Sequence, residues 1–113
     1  MVIVIFRSKL TAAAGQDFQD AGEEMMSLAR QMPGFLDYRS YNGTEGERLT
    51  LVYWESAESL EAWRRHPEHA LTQQKGREQW YEYYDMEVAQ VMRKSHFERK
   101  ARAAASAAPA FER

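Results

Sequence analysis

Residues 50–93 read TLVYWESAESLEAWRRHPEHALTQQKGREQWYEYYDMEVAQVMR and hold all three tryptophans of the chain. Their order of patterns decides the fold. The β-branched and aromatic run that ends near Trp54 reads as a strand. Ser56, with Glu58 just inside, reads as the N-cap of a short helix that carries Leu60 and Trp63 on one face. Pro67 excludes the α conformation from His66 and suits the first position of a new helix, so a second helical piece is expected from Pro67 to about Trp80. Tyr81–Met92 then alternates as a last strand, with Met86, Val88 and Met92 on one side and Ala89 and Val91 on the other. Both sides are rather apolar.

Upstream, Phe35–Tyr41 and Arg48–Glu55 read as two strands joined through Gly43 and Gly46, whose freedom at positive φ suits a hairpin connection. Before them, Phe18, Ala21, Gly22, Met25, Leu28, Ala29 and Met32 recur at helical spacing over 12–32, and Pro33-Gly34 stops that helix. A glycine inside a helix costs roughly 1 kcal/mol against alanine, so Gly22 is expected to mark close approach to a sheet. Val2–Phe6 is apolar at consecutive positions, which predicts a strand covered on both faces. Downstream, residues 96–113 are rich in alanine and broken by Pro109. They read as a tail outside a domain of residues 1–95, with Phe97 and Phe111 able to dock on a partner subunit.

The chain has 113 residues, 15 basic against 17 acidic, net charge −2, and no cysteine. Such a balance offers no basic track for a phosphate backbone, so no nucleic-acid partner is expected. No apolar run reaches the roughly 18 residues of a membrane span, and the opening lacks a secretory pattern, which points to the cytoplasm. Without cysteine, disulfides, thiolate nucleophiles and Cys-ligated metals are excluded. Chemistry must come from His, Tyr, Trp, amides, Arg and carboxylates.

Strand, helix, strand, strand, helical pair, strand is the α+β, ferredoxin-like βαββαβ arrangement, with an antiparallel sheet and helices on one face. The other face would be bare. Since the first and last strands are apolar on both sides, that face is expected to meet its copy in a homodimer, a dimeric α+β barrel.

Trp54, Glu55–Trp63, His66-Pro67-Glu68-His69, Gln73, Gly76-Arg77, Trp80-Tyr81, Tyr84 and Val88–Val91 with Arg93 together resemble the antibiotic biosynthesis monooxygenase domain. Phe6, Pro33-Gly34-Phe35 and the hairpin fit the same rhythm, so the resemblance covers about residues 1–95. It implies a dimeric α+β barrel with a pocket between sheet and helices, and cofactor-free oxygenation of phenolic rings, haem degradation, or binding without turnover. The haem-degrading branch uses an Asn on the first strand, a Trp on the short helix and an axial His about ten residues later. Trp63 matches the Trp, but the other two positions fall on Phe6 or Arg7 and on Gln73, leaving His69 as the one ready imidazole. Cofactors are therefore expected to be none, with haem as the alternative. His66 and His69 are spaced as a metal pair would be, yet no third ligand is apparent and no metal site is expected.

For a small aromatic substrate, Trp63, Trp80 and Tyr81 are candidates to hold the ring, with Gln73 and Arg39 as polar partners. His69 is the candidate catalytic proton acceptor. An ordinary imidazole near pKa 6.5 and a phenol near 10 differ by about 3.5 units, on the order of 5 kcal/mol, which Arg39 or a Tyr hydroxyl beside the oxyanion would narrow. A pocket of roughly 300 Å³ or more lined by His69 would favour a ligand-handling protein over a purely structural one.

Overall fold

The computed structural model describes residues 1–100. Its elements are β1 (Val2–Leu10), α1 (Gln16–Arg30), β2 (Phe35–Asn42), β3 (Glu47–Trp54), α2 (Ala57–Arg64), α3 (Pro67–Lys75) and β4 (Tyr81–Gln90). A single π-helical turn, Gly76–Trp80, carries α3 into β4. The four strands form one antiparallel sheet in the order β2-β3-β1-β4, the ferredoxin-like arrangement expected.

Local chemistry accounts for the joints. Ser56 and Ser59 form a reciprocal capping box at the start of α2, each satisfying the other's backbone or side chain. His66 caps α3, its Nδ1 accepting the Glu68 amide at 3.1 Å, with Pro67 at the first helical position. Gly34 takes φ +91° between α1 and β2, and its carbonyl accepts the Glu55 amide at 2.7 Å.

Strand register divides the helix-covered face into rows running across the sheet. Phe35, Trp54, Val2 and Gln90 form one end row, followed by Tyr38, Val52, Val4 and Val88. Beyond these come Ser40, Thr50, Phe6 and Met86, then Asn42, Arg48, Ser8 and Tyr84. The first two rows carry the core: Val2, Val4 and Trp54 pack with Met25 and Ala29 of α1 and with Leu60 and Trp63 of α2. The last two rows turn polar. Period-two alternation sends Ile3, Ile5, Leu49, Leu51 and Tyr53 to the opposite face, which none of the described helices covers and where they are half-buried.

Three sequence expectations change. β1 runs on to Leu10, four residues past Phe6, because Arg7 and Lys9 point to the helix-free face while Ser8 is buried beneath the helices. β4 ends at Gln90, so Met92 lies outside it and is almost fully exposed. Gly22 does not approach the sheet: it is exposed, and a Cβ there would meet nothing within 4 Å. The buried face of α1 is carried by Met25 and Ala29 instead. Of the tail, Phe97 is exposed with Arg99 over its ring, while Phe111 and the rest of 101–113 lie outside the described residues.

Candidate functional site

Aromatic side chains on the helix-covered face form two clusters. In the first, at the core end, Trp63 stacks on Trp54 with ring centroids 6.3 Å apart and on His69 at 4.4 Å, and Phe35 meets Trp54 edge-on. His69 is half-buried, and its Nδ1 is buried with no hydrogen-bond partner among the described residues. Burial lowers its pKa to about 4, helped by the neighbouring His66 and Arg64, while contact with the Trp63 backbone works the other way. His69 is therefore a neutral imidazole at neutral pH, and a weaker base than an ordinary histidine. The gap to a phenol near 10 becomes about 6 units, on the order of 8 kcal/mol.

The second cluster lies over the polar rows. Phe6 touches Tyr81 (5.6 Å) and Tyr84 (5.0 Å), Phe18 of α1 meets Trp80 (5.4 Å) and Tyr81 (6.0 Å), and Tyr81 meets Tyr84 (5.6 Å). Trp80 is buried and donates Nε1–H to Asp17 at 3.2 Å, tying the π-helical turn to the first turn of α1. That bond is the main reason the Asp17 carboxyl sits below its usual range. The π-helical turn and β4 are also held to the end of β1, where Thr11 donates to the Trp80 and Gln79 carbonyls at 2.8 Å. Burial raises the pKa of Tyr81, with Arg48 opposing the shift. Although Phe6 sits mid-strand between buried Val4 and buried Ser8, it is only half covered, and its row neighbour Met86 is 40% exposed. The helix layer thus leaves Phe6 partly accessible, an open window rather than an enclosed pocket.

One helical face links the clusters. His69, Gln73, Gly76 and Trp80 follow each other at intervals of four, three and four residues, and all four are buried or half-buried. Gly76 is there for space: a Cβ would lie 2.7 Å from the Tyr81 ring. At 1.5 Å per residue, the backbones of His69 and Trp80 are roughly 16 Å apart along the axis, too far for one phenolic ring to touch both side by side.

The structure therefore brings together Trp63 with His69, and Trp80 with Tyr81, with Gln73 between the pairs. Arg39 joins neither. Its register partner is Leu51 on the helix-free face, where it pairs with Asp37 at 3.1 Å. A cleft of about 240 Å³ lies elsewhere, lined by Lys9, Thr44, Glu45, Glu47, Glu82 and Tyr83, without His69. Among the described residues no three His, Asp or Glu side chains gather as metal ligands, and no helix is long and apolar enough to cross a membrane.

Sequence reasoning missed Arg48, Phe6 and Phe18 as members of the second cluster. Arg48 shares the even parity of Val52 and Trp54 on β3 and so belongs under the helices, whereas Arg39 pairs with odd-numbered Leu51. The hairpin register was the signal that separates the two arginines.

Comparison with known proteins agrees with this architecture. The chain is 38% identical over 95 residues to the uncharacterized protein YqjZ of Bacillus subtilis (strain 168), covering 84% of this chain and 82% of that protein. Its fold matches Rv0793 from Mycobacterium tuberculosis with a TM-score of 0.73 at 19% identity, covering 84% of this chain and 98% of that one. It also matches SnoaB, a cofactor-independent oxygenase from Streptomyces nogalater, with a TM-score of 0.69 at 10% identity, covering 82% and 94%. Residues 1–75 match the model of the family described as antibiotic biosynthesis monooxygenase, and the chain belongs to that family.

Proposed function

We propose that the protein is a cofactor-independent monooxygenase that oxidises a small electron-rich aromatic compound of phenol or hydroquinone type with O₂. One observation supports this above the others: the half-covered aromatic floor of Phe6, Tyr81 and Tyr84, which offers a flat ring both stacking area and phenolic hydroxyls. The description of SnoaB as a cofactor-independent oxygenase, on the same fold, is in keeping with it. In such chemistry the substrate, once deprotonated, gives an electron to O₂ itself. For an anthrone-type methylene, CH₂ becomes C=O, one oxygen atom enters the product and the other leaves as water. The protein binds and desolvates the ring and takes up a proton.

His69, with Trp63 and Gln73 beside it, is the proposed proton acceptor; because Trp80 and Tyr81 stand at the other end of the same face, this role requires an extended, fused-ring substrate that runs from the aromatic floor toward His69. Its low basicity restricts the substrate to one acidic enough to give up a proton readily, or to one whose anion stabilises the imidazolium beside it. Oxygen uptake in an aerobic screen of hydroquinones, anthrones and haem tests the function. With a turned-over substrate, His69→Ala is expected to lower kcat by about 100-fold or more while leaving the fold intact; unchanged turnover removes His69 from the mechanism.

Haem is the second ligand in that screen. Gln73 stands where the haem degraders place an axial His, an amide is a poor iron ligand, and His69 Nδ1 is buried against Trp63. Added haem is expected to be left intact, and loss of its Soret band with iron release in the presence of a reductant would overturn this. The proposal takes the protein as a cytoplasmic homodimer.

A further inference from the structure

We propose that the window over Phe6 takes an aromatic ligand bearing a carboxylate, and that Arg48 holds the carboxylate. This rests on the window being where the ring lies, and it adds the charge of the ligand to the function above.

Register places Arg48 beside Ser8 on the helix-covered face, and its guanidinium carbon lies 5.3 Å from the Phe18 ring centroid. It is half-buried there. Two further cations stand at the same cluster: Lys75 Nζ is 5.4 Å from the Trp80 ring centroid, and Arg77 donates to the Tyr84 hydroxyl at 3.4 Å. Among the other described arginines, Arg7 pairs with Asp85, Arg39 with Asp37, and Arg64 and Arg65 with Glu61, while Arg30, Arg93 and Arg99 have no acidic partner but are exposed, which leaves Arg48 as the half-buried arginine without one. Among the described residues, Arg48, Lys75 and Arg77 form no ion pair with a carboxylate within 4.0 Å. The acid of the cluster, Asp17, is engaged by the Trp80 indole and by the Phe18 amide. A half-desolvated guanidinium lying on an aromatic face and lacking an acidic partner matches a planar carboxylate, which it can bind through two parallel hydrogen bonds. The rings below it supply the stacking surface for an attached aromatic group. A neutral phenol would leave that charge unanswered.

Anaerobic titration of 6-hydroxy-2-naphthoate and of its neutral carboxamide, followed by tryptophan fluorescence and calorimetry, tests this apart from turnover. The carboxylate is expected to bind at least about 10-fold tighter than the carboxamide and to weaken with salt. Arg48→Gln is expected to reduce carboxylate affinity to that of the carboxamide, leave carboxamide affinity unchanged and keep the melting temperature. Arg48→Lys is expected to restore part of the preference. Should Arg48→Gln fail to fold, the wild-type preference and the Arg48→Lys measurement decide the matter. Equal affinity for both probes, no binding of either, or a preference that survives loss of the guanidinium overturns the proposal. Selective binding without oxygen uptake on any substrate refutes the oxygenase instead and leaves this site standing.

Discussion

His69 shows how burial resets a residue's chemistry. An exposed histidine is half protonated near pH 6.5, and an ordinary imidazole base was expected at this position on that value. Burial, with His66 and Arg64 nearby, disfavours the charged form and lowers the pKa to about 4, against the opposing effect of the Trp63 backbone. The burial was not legible because Pro67 separates Trp63 from His69 into two helices, and nothing in the spacing fixes how those helices meet. The native state thus resists protonation while the unfolded chain accepts it at about 6.5, so between these values the unfolded state binds more protons. Stability contributed by neutral His69 is present above about pH 6.5, falls as pH drops from there to about 4, and is flat below. The gap corresponds to at most on the order of 3 kcal/mol, less for the partial exposure of the ring. Urea midpoints measured from pH 7.5 to 4 are expected to fall more steeply for the wild type than for His69→Gln. Parallel slopes would show that His69 titrates normally in the folded protein.

At the scale of elements, two glycines that look alike in sequence behave oppositely. Gly22 lies on the exposed side of α1 with open space where a Cβ would go, so Gly22→Ala is expected to add about 0.5–1 kcal/mol of stability through helix propensity alone. Gly34 sits at φ +91°, and a Cβ there would fall on Ser59, the residue that closes the capping box of α2. Gly34→Ala is expected to cost on the order of 1–3 kcal/mol, from backbone strain and the displaced cap together. Denaturant melts of the two variants check both signs, and equal effects would undo the distinction. Caps and stops were legible because each depends on a few adjacent residues: Ser56, His66-Pro67 and Pro33-Gly34 all stand where the sequence put them. The hairpin turn was legible only in part, since Gly46 takes positive φ as expected but Gly43 lies at φ −96° and Glu45 at φ 60° instead. The faces of elements were less so. Gly22 was assigned to the buried stripe because it sits among apolar neighbours. Arg39 was taken toward the helices because strand parity needs a register, and register is settled only when β2 meets β3.

For the whole molecule, the helix-free face of the sheet poses the remaining physical question. It presents Ile3, Ile5, Leu49, Leu51 and Tyr53 in adjoining rows, bordered by the Arg7–Asp85 and Arg39–Asp37 pairs. Apolar rows of this kind, ringed by charge, suit a second copy of the same face, since a twofold axis matches each ion-pair rim to its equivalent. Size sets a limit, however. Four strands about 4.8 Å apart and eight residues long span roughly 500 Å² of footprint, short of the about 800 Å² per partner of an ordinary stable interface. The chain beyond Gln90 can supply the difference, because Met92 is 95% and Phe97 62% exposed and neither has a place on its own protomer. Sedimentation at micromolar concentration is expected to show a dimer. Leu51→Glu, which sets a charge at the centre of the face, is expected to give folded monomers, and ending the chain at Val91 is expected to raise the dimer Kd by at least about 10-fold without unfolding the domain. A single monomeric species for the wild type would sink the dimer, while a dimer unaffected by Leu51→Glu would move the interface to another surface.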